Sequence, residues 1–330
     1  MSPHIAAITY CKQTFKIILI VILIFVNNLF VYGAEKFREP ITPVIPFNNL
    51  NKDKVSLGKK LFHDPKLSSD GTVSCAKCHN LETNGVDLLP VSFGINGEKG
   101  NRNSPTIINA ALQYRFFWDG RAKTAEEQIT DPIENPIEMG SSWQHILLYL
   151  GSNNEYISSF NQVYGVNPDR NLVIDAIAEF QKSLISYNSP FDQYLKGDEN
   201  AISPEAKEGY ALFKSYGCSQ CHQGMNVGGN MFEKIGVIRP YYGKDNPAKL
   251  TDLGRYNLTG NKEDMYEFRV PSLRLVVKTP PYFHDGSIST LNEAIQLMGK
   301  HQLGRDIKDD HVNKIIQFLA TLEGQLESGK

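Results

Sequence analysis

The chain has 330 residues, 41% of them hydrophobic and 21% charged, with 26 glycines and 17 prolines. This composition excludes collagen, coiled coil, a disordered chain and a multi-span membrane protein, and the length accommodates two domains of ordinary size. A formal net charge of −2 leaves no broad basic face for nucleic acid.

In chain order, Lys12 and Lys16 precede an unbroken apolar run from Ile17 to Val26, then Asn27-Asn28 and Val31-Tyr32-Gly33-Ala34. The run is shorter than the roughly 20 residues a spanning helix needs. A positive flank, a short apolar core and small residues at the exit predict a secretory signal over residues 1–33, cleaved after Gly33. Cys11, one of five cysteines, leaves with it.

The other four cysteines form two copies of one motif, Cys75-Ala76-Lys77-Cys78-His79 and Cys218-Ser219-Gln220-Cys221-His222. C-x-x-C-H is the attachment signature of c-type haem. Two thiols one turn apart reach the two vinyl groups of one porphyrin, and the adjoining histidine places an imidazole under the iron. A zinc site rarely carries histidine directly after the second cysteine in both copies, and a thioredoxin-like pair has no reason to be duplicated. The four thiols are therefore expected on porphyrin, not in disulfides.

The flanks repeat as well. Gly58-x-x-Leu61-Phe62 precedes the first motif and Gly209-x-x-Leu212-Phe213 the second. Ser203-Pro204-Glu205 predicts a helix start, with a capping hydroxyl, a first-turn proline and an acid near the positive dipole end. A late amphipathic helix follows each motif. One carries Val173, Ile174, Ile177, Phe180 and Leu184; the other carries Ile315, Ile316, Phe318, Leu319 and Leu322, with Asp309 or Asp310 as its cap. The expected architecture is mainly α: two cytochrome c-like domains, 34–197 and 198–330, each wrapping one covalent haem with long irregular loops such as Gly224–Asn261. Lys196–Asn200 reads as the polar linker between them.

Five further stretches carry a resemblance over essentially the whole mature chain. They are Asp87-Leu88-Leu89-Pro90-Val91-Ser92, Arg102-Asn103-Ser104-Pro105-Thr106, Phe117-Trp118-Asp119-Gly120-Arg121-Ala122, Asn135-Pro136-Ile137-Glu138-Met139 and Pro281-Tyr282-Phe283-His284-Asp285-Gly286. With two haem motifs in the same order, the sequence resembles the bacterial di-haem cytochrome c peroxidases and their MauG-type relatives. The resemblance implies a peroxide-reactive haem at His79, with Glu138 as catalytic carboxylate and Gln128 as the amide beside it. It implies an electron-transfer haem at His222 with Met298 as second ligand, and Trp118 between the haems. A thioether opposite histidine raises the iron potential, which suits acceptance of electrons.

The resemblance also implies a calcium ion held by the Asn103 side chain and the carbonyls of Thr279 and Pro281. Its implied partners are hydrogen peroxide and a small periplasmic electron donor, a cytochrome c or a copper protein, and family members commonly form homodimers.

The sequence departs from the family at one place. Classical members carry a histidine after Ser92-Phe93-Gly94 that caps the first iron at rest; here the position is Ile95, which cannot ligate iron. A first haem that is open without reductive activation is expected, with His63 as a remote substitute ligand. Loss of that histidine is shared with MauG-like enzymes, which oxidise residues of a partner protein but place tyrosine where this chain has Met298. The peroxidase reading is preferred on Met298, with a MauG-like oxidase and a non-catalytic electron carrier as alternatives.

Overall fold

The computed structural model describes residues 39–326, so the signal expected over residues 1–33 lies outside the described residues. Regular structure is mainly helical, as expected. In chain order the helices are α1 (Lys52–Phe62), α2 (Cys75–Cys78), α3 (Ala125–Glu134), α4 (Trp143–Ser152), α5 (Asn154–Tyr164), α6 (Arg170–Ser183), α7 (Pro190–Leu195), α8 (Pro204–Tyr216), α9 (Tyr256–Thr259), α10 (Leu291–Leu297) and α11 (Asp309–Ala320). The strands are short: β1 (Ser186–Tyr187), β2 (Phe232–Lys234), β3 (Glu267–Arg269) and β4 (Gln325–Leu326), paired antiparallel as β1–β4 and β2–β3. The stretch Gly224–Asn261 is mostly turns and bends around β2 and α9.

The repeated glycine explains how the helices meet. A Cβ on Gly58 of α1 would collide with the carbonyl oxygen of Ala176 on α6 and lie 2.8 Å from Phe180 Cβ. A Cβ on Gly209 of α8 would likewise collide with the carbonyl oxygen of Lys314 on α11 and lie 3.1 Å from Phe318 Cβ. In both pairs the missing side chain lets backbone approach backbone. One turn beyond each glycine, a phenylalanine meets its partner edge-on or tilted: Phe62 and Phe180 centroids are 5.2 Å apart, and Phe213 and Phe318 also 5.2 Å. Such aromatic pairs contribute about 0.5–1.5 kcal/mol beyond their burial.

Two hydrophobic clusters grow around these crossings. The first includes Leu57, Leu61, Phe62, Ile129, Ile133, Ile177 and Phe180; the second includes Phe191, Tyr210, Phe213, Ile315, Phe318 and Leu322. Ile41, near the start of the described chain, packs in the second cluster. Residues 41–326 belong to one compact unit.

A fully buried ion pair organises the second cluster. Arg274 Nη2 donates to Asp192 Oδ1 at 2.8 Å, with neither side chain exposed. Arg274 Nε donates to the Met225 carbonyl at 2.7 Å, and the Val44 N–H donates to Asp192 Oδ1 at 3.3 Å. Removing one partner of such a pair typically costs about 3–5 kcal/mol, because the other is left as an unpaired buried charge.

Helix starts follow the sequence closely, with one correction. Ser203 Oγ accepts from the Ala206 N–H at 3.1 Å and Pro204 opens α8, as expected. The cap expected at Asp309 or Asp310 is not there: Lys308 occupies the cap position without a side-chain bond, and both acids lie in the first turn of α11. They still face the positive end of the helix dipole, which rewards charge without requiring a cap.

Gly58→Ala and Gly209→Ala each force a methyl group into backbone. Overpacking of this kind costs about 1–3 kcal/mol. Both variants are expected to unfold at lower denaturant than the parent, while Gly151→Ala, inside α4 where a Cβ meets nothing within 4 Å, is expected to leave the midpoint unchanged or raise it slightly.

Candidate functional site

Each C-x-x-C-H motif winds into a single turn. The His79 N–H donates to the Cys75 carbonyl at 2.9 Å, and the His222 N–H to the Cys218 carbonyl at 3.0 Å. The four thiols are unpaired and half-buried. Burial pushes the Cys75 and Cys218 thiols up to about 12, so they are uncharged in the folded chain.

The two histidines are held as neutral imidazoles. Burial lowers His79 and brings His222 down to about 4. His79 Nδ1 lies 3.3 Å from the Gly85 carbonyl, which can only accept, so the proton sits on Nδ1 and Nε2 keeps its lone pair for a metal. His222 Nδ1 is buried without a hydrogen-bond partner, near the Val227 and Pro271 carbonyls. Gly228 is required beside it, at φ +127°: a Cβ there would sit 3.3 Å from His222 Nδ1 and collide with the Pro271 carbonyl.

A cavity of about 670 Å³ opens at the first motif, within the usual range for pockets that enclose a cofactor or ligand. Cys75, Cys78, His79, Asn103, Trp118, Gln128 and Glu138 all line it, so one space gathers residues that the sequence spreads over five segments. Its apolar wall comes from Phe62 of α1 and Ile177 of α6, the helices of the first crossing, and from Ile129 and Ile133 of α3.

Gln128 faces the cavity because α3 turns its Ile129 and Ile133 side into the core and begins at the Thr124 cap. Glu138 follows α3 in a tight turn, with the Glu138 N–H donating to the Asn135 carbonyl at 3.0 Å. Asn135 Nδ2 donates to Glu138 Oε1 at 2.7 Å, leaving the other carboxylate oxygen without that bond. Burial pushes the Glu138 carboxyl up, against the opposing pull of Arg121 and the Asn135 bond.

The loop carrying Ile95 is a hairpin fastened to this carboxylate's backbone. Asn96 and Gly97 take the left-handed conformation (φ +53° and +75°) that a two-residue hairpin turn requires. The Gly94 N–H donates to the Glu98 carbonyl, and the Ile95 N–H to the Glu138 carbonyl, both at 2.8 Å. Ile95 is 7% exposed and packs in the first cluster beside Gly140. His63 turns away, its Nδ1 2.8 Å from the Lys59 carbonyl, and does not line the cavity.

Trp118 joins this cavity to the C-terminal part of the chain. Its Nε1 donates to the Asn103 carbonyl at 2.8 Å, its own carbonyl accepts from the Arg269 N–H at 2.8 Å, and its ring meets His284 edge-on with centroids 6.4 Å apart. His284 is stacked on Phe268 and paired to Asp252 at 2.9 Å. Asn103 Nδ2 donates to the Leu89 and Pro90 carbonyls, and its N–H to the His284 carbonyl. Among the described residues no hydrogen bond ends on the Thr279 or Pro281 carbonyl.

Met298 stands where α10 widens into a π-turn, Met298–Gln302, a distortion frequent at functional positions. It is half-buried and is not part of either hydrophobic cluster.

A family model described as di-haem cytochrome c peroxidase matches residues 52–200. The cytochrome c551 peroxidase of Nitrosomonas europaea is 43% identical over 295 residues, covering 88% of this chain and 86% of that protein. The chain belongs to the di-haem cytochrome c peroxidase family. The family's MauG branch is more distant: the methylamine utilization protein MauG of Methylophilus methylotrophus is 33% identical, covering 88% of each chain. A crystal structure of a MauG-like protein associated with microbial copper homeostasis superposes with a TM-score of 0.74 at 27% identity, covering 86% of this chain and 93% of that one.

Two cavity residues of this di-haem family member carried no role in the sequence. Arg102 and Arg269 line the cavity, and each has a buried Nη1 without a hydrogen-bond partner. Arg102 stood inside a recognised stretch, next to Asn103; Arg269 lay in a segment with no helical period, far from either motif.

The raised Glu138 carboxyl has a stability consequence. A folded pKa above the unfolded one means that the native state binds more protons between the two values, so Glu138 costs stability as pH rises through that window. Glu138→Gln is expected to raise the melting temperature at neutral pH, with the gain fading below pH 4.5, where the carboxyl is protonated in both states. Melting curves at pH 4 and pH 7 check it.

Proposed function

We propose that the chain reduces hydrogen peroxide to water in the periplasm, with electrons from a small donor protein, and that its peroxide site needs no reductive activation. As a family member it is an oxidoreductase, a di-haem cytochrome c peroxidase, with haem as its cofactor. The observation that carries the site assignment is the convergence of Cys75, Cys78, His79, Gln128, Glu138 and Trp118 on one cavity.

The donor set suits two covalent c-type haems. Four uncharged, unpaired thiols and two neutral imidazoles are the groups that thioethers and proximal ligands would require, and Met298 would serve as second ligand to the haem held by His222. Bound there, haem supplies the redox-active iron. The chain's own residues supply proton handling, alignment and a path for electrons.

Glu138, its carboxyl pushed up by burial, takes a proton from incoming peroxide and returns it to the departing oxygen. The Asn135 bond fixes one carboxylate oxygen and leaves the other for this exchange. Gln128 presents its amide to the same space. Trp118 spans the cavity and His284, an aromatic step toward the part of the chain that holds His222.

Ile95 supports an always-open first site: its side chain is in the core, and its loop is fastened as a hairpin to the Glu138 carbonyl. Met298 and the 43% identity to a cytochrome c551 peroxidase favour peroxidase over a MauG-like oxidase. A calcium ion suits the neutral oxygens of Asn103, Thr279 and Pro281, whose two carbonyls carry no other hydrogen bond, with water completing the shell.

Steady-state turnover of peroxide with a reduced small cytochrome c or copper protein tests the activity. Glu138→Gln is expected to lower kcat by about 10²–10⁴-fold, the usual worth of a positioned acid–base group. A wild-type protein that consumes no peroxide, or a variant as active as the parent, overturns the reading. Separately, the fully oxidised protein is expected to show a high-spin haem component; a purely low-spin spectrum overturns the open first site.

A further inference from the structure

We propose that Arg102 and Arg269 form a clamp for the two propionate carboxylates of the haem held at His79. The proposal rests on reading the first cavity as a haem site, and deepens it by assigning what holds the polar edge of the cofactor.

Few buried side-chain nitrogens in the described residues lack both a hydrogen bond and an ion pair: Arg102 Nη1, Trp143 Nε1, His222 Nδ1 and Arg269 Nη1. Only Arg102 and Arg269 among these line the cavity at the first motif. A buried guanidinium without an anion is costly, and natural structures rarely leave one so. Arg269 is 1% exposed, with Nε already donating to the Phe117 carbonyl at 3.2 Å, and burial depresses it to about 10.

The carboxylates nearest the two arginines bond other groups, and Asp119 and Asp252 act on Arg102 only from beyond ion-pair distance. Glu267 pairs with Arg255 at 3.0 Å, Asp119 with Arg121 at 3.0 Å, and Asp252 with His284 at 2.9 Å. Neither Arg102 nor Arg269 forms an ion pair among the described residues. Arg121 also lines the cavity, but it lies over the Phe117 ring at 3.5 Å and is bonded to both Asp119 and Asp131, so its charge is already matched. Two guanidinium groups, each with an unpartnered buried Nη1 and no ion pair of its own, therefore meet a cofactor that brings two carboxylates. Arginine suits the task because its planar fork matches a carboxylate and stays charged when desolvated.

The clamp crosses the chain. Arg102 belongs to the segment after the first motif, whereas Arg269 ends β3, beyond the second motif. Seating of the first haem thus depends on the C-terminal part of the protein, and a positive charge from that part sits against the first haem's edge.

The test uses the haem-loaded protein and the variants Arg269→Met, Arg269→Lys and Arg102→Gln. Haem per chain, resonance Raman bands of the propionates, and midpoint potentials by spectroelectrochemistry are read. Arg269→Met and Arg102→Gln are each expected to shift the propionate bands of one haem and to lower that haem's potential, since loss of a nearby cation favours ferric iron. The other haem stays unchanged, and Arg269→Lys keeps most of the wild-type potential, which a purely structural role would not produce. Unchanged bands and potentials in both charge-removing variants overturn the clamp. If Arg269→Met fails to fold, Arg102→Gln decides by the same criterion. A wild-type chain without haem at His79 instead overturns the haem reading on which the clamp stands.

Discussion

The close approach of two helix backbones at a residue without a side chain is the constraint on which the rest of the molecule depends. Gly58 lets α1 lie against the Ala176 carbonyl of α6, and Gly209 does the same for α8 against Lys314 of α11. At the first crossing, Phe62 and Ile177 become the apolar wall of the cavity beside His79. Move those helices apart by the width of a methyl group and the wall retreats from the space it bounds. The crossing therefore sets the room available to a cofactor as well as the packing of a core, and the second copy repeats the arrangement to the same 5.2 Å phenylalanine contact.

What the sequence made legible was local chemistry and short-range pattern. The two C-x-x-C-H motifs, the repeated glycine and the stripes of α6 and α11 are read within a few turns of chain, and the structure places each in a matching element. The cap of α11 was misread because an acid in the first turn satisfies the dipole as well as one at the cap. The cavity is a different matter. Gln128 on a helix and Glu138 in a proline-flanked turn line one cavity because the chain turns back after α3, and no spacing rule announces it. The resemblance found them; their residue types alone did not.

Arg269 shows why the remainder was illegible. It sits in a segment of turns and short strands, where neither helical nor alternating periodicity marks a buried face, and its significance lies in what it lacks. An unmatched buried charge is a property of three-dimensional surroundings. The Asn96-Gly97 turn, by contrast, was open to reading as a hairpin signal. It bears directly on the first site, because it turns the segment in which a ligand is missing into a closed loop bonded to the Glu138 carbonyl.

The second cluster is assembled from both ends of the described chain. Ile41 is buried there, Val44 donates to Asp192, and β4 closes on β1 with the Gly324 N–H on Ser186 Oγ at 2.9 Å. Residues 41–44 thus find their partners far later in the chain, among them Phe191, Asp192, Arg274 and Leu322. The early segment therefore has its buried place only once the last helix and strand are in position. Cutting the gene at the polar stretch 196–200 would not yield two self-sufficient halves: the C-terminal piece would lack Ile41, Phe191 and Asp192, and would carry Arg274 into a core without its counter-charge.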